Sequence, residues 1–237
     1  MTDRDVVELA PAGTQPEYHF PPYASTVARS PRMPLIRLLK TRTERTGPVF
    51  GHGFIREGDN DLTAHGESDP IGERILVHGR VLNEDGQPVR GALVEVWQAN
   101  SAGRYRHKVD TYDAPLDPNF HGGGRMMTDE QGRYWFKSIK PGPYPWGNHH
   151  NAWRPSHIHF SLFGAGILSR LVTQMYFPGD PLQPLDSIFN SIPDEAARQR
   201  LISHLDMDRS ESNFLLAYNW DIVLRGRSDT PFEEGNR

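Results

Sequence analysis

Proline and glycine interrupt this chain too often for long helices to form. There are 20 Pro and 22 Gly among 237 residues; an interior Pro removes a helical hydrogen bond and clashes with the preceding turn, and an interior Gly costs backbone entropy. What lies between the interruptions has the composition of strands. Ile75-Leu76-Val77-His78-Gly79-Arg80-Val81 reads as one strand, residues 83–88 as a turn, and Ala92-Leu93-Val94-Glu95-Val96-Trp97 as the strand returning beside it. A second hairpin of the same kind is expected, with Arg125-Met126-Met127-Thr128 leading into the turn Asp129-Glu130-Gln131-Gly132. After that turn Tyr134, Phe136 and Ser138 alternate with Trp135, Lys137 and Ile139. Further strands are expected at 157–162, 168–177 and 214–224. Several short strands at this spacing indicate a mainly β protein with a β-sandwich core. One short helix, at most two, is expected: Pro193 stands at a first helical position, Asp194 and Glu195 in a first turn, and Ala197, Leu201, Ile202 and Leu205 on one face.

Residues 1–70 have a different texture, rich in Pro, Gly and charge, with one apolar stretch at 34–39 and no sustained periodicity. Such a segment cannot bury itself. It is expected to be an extended N-terminal arm that wraps its own domain or a partner subunit, with residues 71–237 forming the sandwich domain. The formal charge is -4 without a basic run, which excludes a phosphate-tracking surface and hence nucleic acid as a partner. Zero Cys excludes disulfides, thiolate nucleophiles, zinc fingers and iron–sulfur clusters. Any metal must be held by nitrogen and oxygen. The first residues, MTDRDVVELAPAG, carry no apolar signal region, and no stretch approaches the ~18 apolar residues of a membrane span. The expectation is a soluble, cytoplasmic protein without membrane contact.

The chemistry points to one strand. In His157-Ile158-His159-Phe160-Ser161-Leu162 the apolar residues share one face and the two imidazoles the other. Residues two apart on a strand are about 6.5–7 Å apart, so both rings can converge on one cation; two half-buried histidines bonded to backbone would give the same pattern. The surroundings sharpen the choice. From Gln131 to Gly179 there is no Asp or Glu, while Arg133, Lys137, Lys140, Arg154, Arg170 and four histidines are present. A site completed by a neighbouring carboxylate finds no ligand in this segment, and tyrosinate, solvent or substrate oxygen suits a hard ferric ion. A zinc hydrolase would need a third protein ligand and a general base, which the same acid-free stretch opposes.

Two tyrosines are candidates. Tyr144, in Pro141-Gly142-Pro143-Tyr144-Pro145-Trp146, has its backbone restricted by a Pro on either side. A structural tyrosine of a sandwich hairpin would look alike. Tyr105, in Gly103-Arg104-Tyr105-Arg106-His107, is flanked by two cations expected to lower its pKa.

Together Tyr105, Tyr144, His157 and His159, with Trp97-Gln98-Ala99-Asn100 and Trp153-Arg154-Pro155 before the histidine pair, resemble the intradiol ring-cleaving dioxygenases. The resemblance extends from Ala28-Arg29-Ser30-Pro31-Arg32 through Ile71-Gly72-Glu73-Arg74 and residues 114–120 to Asp221-Ile222-Val223-Leu224-Arg225-Gly226. It implies a mononuclear non-haem Fe(III) bound by Tyr105, Tyr144, His157, His159 and a hydroxide, a set in which two tyrosinates and one hydroxide balance the ferric charge. It also implies O2 and protocatechuate (3,4-dihydroxybenzoate) as substrates, cleavage between the two hydroxylated carbons to 3-carboxy-cis,cis-muconate, and a place in aromatic catabolism by the β-ketoadipate route. Tyr144 is then the ligand that a catecholate displaces, Arg154 and Gln174 stabilise the electron-rich substrate, and Tyr23, Trp146 and Ile188 line its pocket. A related α subunit is the implied partner. The alternative within the family is a catechol or hydroxyquinol 1,2-dioxygenase, whose helical N-terminal dimerisation segment has no counterpart in residues 1–70; a sandwich module without iron is the alternative outside it.

Overall fold

The computed structural model describes residues 10–36, 54–164 and 170–233. Part of the apolar stretch expected at 34–39, and the start of the strand expected at 168, lie outside these residues. Among them are eleven strands and two short helices, as the Pro and Gly spacing requires. The strands β1 (Arg74–Leu82), β2 (Leu93–Trp97), β3 (Gly123–Met127), β4 (Arg133–Ile139), β5 (Tyr144–Pro145), β6 (Trp153–Arg154), β7 (His157–Phe163), β8 (Leu171–Tyr176), β9 (His204–Glu211), β10 (Leu215–Asn219) and β11 (Ile222–Val223) form three sheets. In the five-stranded sheet β1 pairs antiparallel with β4 on one side and parallel with β10 and then β11 on the other, with β9 beyond β10. The four-stranded sheet runs β3-β2-β7-β8, and β5-β6 is a separate two-stranded ribbon.

The two expected hairpins are not hairpins. β1 and β2 lie in different sheets, and so do β3 and β4; β1 pairs with β4, and β2 with β3. Period-2 alternation reports which face of a strand is buried and leaves its partner open. Residues 83–92 and 128–132 turn at the corners of the sandwich, across the ~10 Å between sheets. At the first corner the Asn83 side chain closes the turn by accepting from the amides of Asp85 and Gln87.

The core fills the space between the sheets. Val77, Tyr134 and Phe136 come from one sheet and Val96, Ile158 and Phe160 from the other, each 2% exposed or less. Phe160 is the hinge pin of the packing, with ring centroids 5.9 Å from Tyr134, 5.8 Å from Phe136 and 4.8 Å from Trp220. Burying aromatic rings edge to face adds about 0.5–1.5 kcal/mol per pair beyond their area. With Ile158, Phe160 and Leu162 turned into this core, His157, His159 and Ser161 emerge on the outer face of the four-stranded sheet. All six are buried, so that outer face is covered as well.

The first helix, α1 (Ala24–Arg29), follows Tyr23 and buries Thr26, whose hydroxyl bonds to the Phe20 and Tyr23 carbonyls. The second, α2 (Glu195–Gln199), is shorter than the expected one. Asp194 is its N-cap, accepting from the Ala196 amide, so Pro193 stands outside the helix. Tertiary bonds end it: the Arg200 carbonyl accepts from the Trp220 indole, and the Leu201 carbonyl from the Tyr176 amide. Leu205 therefore lies on β9, 45% exposed, rather than on a helical face.

Candidate metal centre

Four elements bring the predicted ligands to one place on the covered face. β7 supplies His157 and His159, whose ring centroids are 4.8 Å apart. The ribbon β5-β6, with Tyr144 opposite Arg154, lays Tyr144 against His157, centroid to centroid 5.5 Å. Tyr105 arrives from the loop after β2, held by its own amide donating to Asp110, and its ring stands 5.4 Å from Tyr144 and 6.3 Å from His159. That loop turns at Gly103, whose φ of 79° and whose approach to the Pro143 carbonyl leave no room for a Cβ.

The hydrogen bonds set the imidazoles. His157 Nδ1 is 2.7 Å from the Pro155 carbonyl and His159 Nδ1 is 3.0 Å from Glu233 Oε2. Both partners accept, so both Nδ1 atoms carry the proton and both Nε2 atoms present a lone pair. The lone pair of His157 Nε2 faces the Tyr144 hydroxyl at 3.2 Å, which donates to it. The Tyr105 hydroxyl is buried and has no partner at hydrogen-bonding geometry.

Burial dominates the electrostatics. It pushes the Tyr105 phenol well above its ordinary range, assisted by Tyr144, and raises Tyr144 against the opposing pull of Arg154. The expectation that Arg104 and Arg106 lower the Tyr105 pKa is overturned. Desolvation sets the direction, the opposing cation is Arg154, and Arg104 is turned toward Asp110, 3.9 Å away. His157 is held well below the usual imidazole value by burial, then by Arg154 and His159, so it is neutral.

These features fit a cation. Two lone pairs and two phenols converge, the Tyr105 oxygen is near only the other phenol and makes no well-formed hydrogen bond, and poorly satisfied buried oxygen is costly unless something binds it. Among the described residues no group of three or more His, Asp and Glu could hold a metal, so a cation held here would take its oxygen donors from the two tyrosines. Loading has to expel the phenol protons, which a multivalent cation does and a neutral ligand does not.

Beside the four, Arg154 is 3% exposed, its guanidinium bonded to Asp186 Oδ1 and Oδ2 at 3.1 and 3.2 Å, to Tyr176 Oη at 3.1 Å and to the Gln174 side-chain carbonyl. Burial opposes its charge, and Asp186 more than restores it, keeping Arg154 ionised. The absence of an acid within twenty residues of Arg154 in sequence therefore does not leave it unpaired; the fold delivers one from thirty-two residues away. Gln174 lies opposite His159 in the β7–β8 register, and its buried amide nitrogen is on the side of Glu233 without meeting strict hydrogen-bonding geometry. Trp146 lies under Arg154, 5.5 Å from ring centroid to guanidinium carbon, and Tyr23 packs on Trp146 at 5.5 Å. Asn148 brings Tyr23 in, donating to the Pro22 carbonyl and accepting from the Ala24 amide. Ile188 is buried next to Asp186, to whose carboxylate its amide donates.

Sequence reasoning missed Asp186, Tyr176, Glu233 and Asn148. None sits in a local pattern with the residue it serves, and Glu233 and His159 are 74 residues apart. The acid-free stretch is acid-free only along the chain.

Comparison with known proteins gives a concordant result. The "Dioxygenase" family model matches residues 45–226, and the model for the protocatechuate 3,4-dioxygenase beta subunit N terminus matches residues 10–41. The chain is 59% identical over 222 residues to the protocatechuate 3,4-dioxygenase beta chain of Burkholderia cepacia, covering 93% of this chain and 94% of that one. It is 31% identical over 209 residues to the alpha chain of the Pseudomonas putida enzyme, covering 84% and 98%. The crystal structure of 3-chlorocatechol 1,2-dioxygenase from Rhodococcus opacus 1CP has the same fold at 24% identity, with a TM-score of 0.56 over 75% of this chain and 70% of that one. The sandwich, the covered Tyr/His cluster and the match along nearly the full length agree: this chain belongs to the intradiol ring-cleaving dioxygenases, in the branch of the protocatechuate 3,4-dioxygenase beta chains.

Proposed function

We propose that this chain holds a non-haem Fe(III) ion through Tyr105, Tyr144, His157 and His159, and that with this centre it cleaves protocatechuate between its two hydroxylated carbons, consuming O2 and giving 3-carboxy-cis,cis-muconate. The observation that carries the ligand assignment is the convergence of two imidazole lone pairs and two buried phenols, with no carboxylate among them and one phenol oxygen without a well-formed hydrogen bond. The iron, when bound, would supply a Lewis acid that lowers the pKa of the catechol hydroxyls it binds and orients the ring.

The chain's own residues do the rest. Pro143 and Pro145 hold the Tyr144 backbone, so its side chain can swing alone, and its phenol oxygen can carry a proton taken from a catechol hydroxyl. Arg154, kept ionised by Asp186, stabilises negative charge on the substrate ring at no reorganisation cost. The buried amide nitrogen of Gln174, beside Glu233, is the donor for a catechol oxygen. Trp146, Tyr23 and Ile188 form the apolar walls that orient the ring and exclude water. The partner is a related alpha subunit, residues 1–70 serve as an arm for the domain of residues 71–237 or for that partner, and the assembly works in the cytoplasm. Among the described residues no helix is long and apolar enough to cross a membrane.

The test is turnover by the purified chain with its alpha partner. Oxygen uptake matched one to one by 3-carboxy-cis,cis-muconate, with catechol a poor substrate, is the expected outcome. Equal kcat/KM for catechol and protocatechuate would move the chain to the 1,2-dioxygenase reading.

A further inference from the structure

His157 and His159 occupy equivalent positions on one strand, yet their outer nitrogens are held differently. His157 Nδ1 donates to the carbonyl of Pro155, two residues away on its own backbone. His159 Nδ1 donates to a carboxylate, Glu233, delivered by a chain segment remote in sequence. That segment is fixed on both sides. The Glu233 amide donates to the Val172 carbonyl at 2.8 Å, and the Thr173 hydroxyl to the Pro231 carbonyl at 2.7 Å, so residues 231–233 lie along β8. Phe232 is buried in the core, and its amide donates to Gln15 of the N-terminal arm at 2.9 Å. On its other flank the His159 ring stacks on Trp97, centroids 4.9 Å apart and planes within 2°. Trp97 sets the plane of the ring and leaves the choice of protonated nitrogen open; Glu233 makes that choice.

Resting on the ferric reading above, we propose that Glu233 is a positioning residue of the metal centre: its carboxylate fixes the Nδ1–H tautomer of His159, aims the Nε2 lone pair at the cation, and makes His159 the stronger of the two imidazole ligands. A charge-assisted hydrogen bond is roughly twice as strong as a neutral one, and it shifts electron density toward Nε2. His157, with only an amide carbonyl behind it, receives less. Outer partners of this kind are worth roughly 10–100-fold in metal affinity.

The experiment uses the assembled enzyme with full-length chains carrying Glu233→Ala or Glu233→Gln. Iron retention is followed against a competing chelator, and the ring nitrogens of His159 by ¹⁵N NMR on the metal-free protein. The Ala variant is expected to lose iron roughly 10–100-fold more readily and to show the His159 tautomers mixed. The Gln variant, whose amide oxygen still accepts, is expected to keep the tautomer and fall between Ala and parent in retention, with an unchanged urea midpoint. Parental retention in both variants overturns the proposal, and if the Ala chain does not fold, parental retention in the Gln chain alone overturns it. A parent enzyme without iron would instead refute the ligand reading; the His159 tautomer in the Gln and Ala chains then decides the role of Glu233 by itself.

Discussion

Arg154 shows what a single side chain demands of the fold around it. A guanidinium 3% exposed survives only because Asp186, fully buried, takes two of its donors and accepts from Tyr176 as well. Removing one partner of such a pair leaves an uncompensated buried charge. Asp186→Ala is therefore expected to lower the unfolding free energy by about 3–5 kcal/mol, measured in urea; a loss under ~1 kcal/mol, the range of exposed pairs, would mean water reaches Arg154. Both histidines and Tyr144 were legible in the sequence, since the alternation of 157–162 and the flanking prolines are local signals. The ionisation of Tyr105 was not: neighbours in sequence suggest a lowered pKa, and burial, a property of the folded chain, reverses it.

At the scale of elements, β1 to β4, β7 and β8 were legible, while β5, β6 and β9, the break of the strand expected at 214–224 into β10 and β11, and the pairing of the strands were not. A corner turn and a hairpin turn use the same residues, and the backbone pairing of the folded chain, β1 with β4 and β2 with β3 and β7, shows which sheet a strand has joined. Close approach within the five-stranded sheet is readable at Gly79, where a Cβ would run into the Trp220 carbonyl. Gly79→Ala is expected to cost about 1–3 kcal/mol by forcing β1 and the end of β10 apart; a thermal midpoint equal to the parent's would contradict that packing.

The turn after β1 is tied to the end of β11 by Glu84 and Arg225, 2.6 Å apart and about three-quarters buried. Burial alone would raise the Glu84 pKa, but the bond to Arg225 takes it below its ordinary 4.5. The folded carboxyl is thus the stronger acid, so the pair stabilises the fold above the unfolded value and this contribution is lost as pH falls through the folded one. Glu84→Gln should then cost roughly 0.5–1 kcal/mol near neutrality, and the difference from the parent should shrink below about pH 4.5, checked by urea titrations at several pH values. A pH-independent difference would assign the effect to packing instead.

For the whole molecule, the fold class and the family could be read from the chain, while the routes of its two ends could not. The arm lies on its own domain at several points: the Glu17 amide donates to the Ser191 carbonyl, the Asp194 amide to the Gly13 carbonyl, and Gln15 binds both Asp229 and Phe232. These bonds join segments up to 217 residues apart, for which no local pattern exists. Asn148 binds the Pro22 carbonyl and the Ala24 amide and so sets Tyr23 against Trp146. Asn148→Ala is expected to raise KM for protocatechuate about fivefold, equivalent to ~1 kcal/mol of lost hydrogen bonding, with kcat nearly constant; a fall in kcat at unchanged KM would place Tyr23 outside the substrate pocket. Whether buried tyrosines hold ferric iron is read from the visible spectrum and iron content of parent and Tyr105→Phe chains. Tyrosinate-to-Fe(III) charge transfer predicts a red-brown parent with stoichiometric iron, and a Tyr105→Phe chain that has lost most of both; a colourless parent, or a variant with parental colour and iron content, would contradict it.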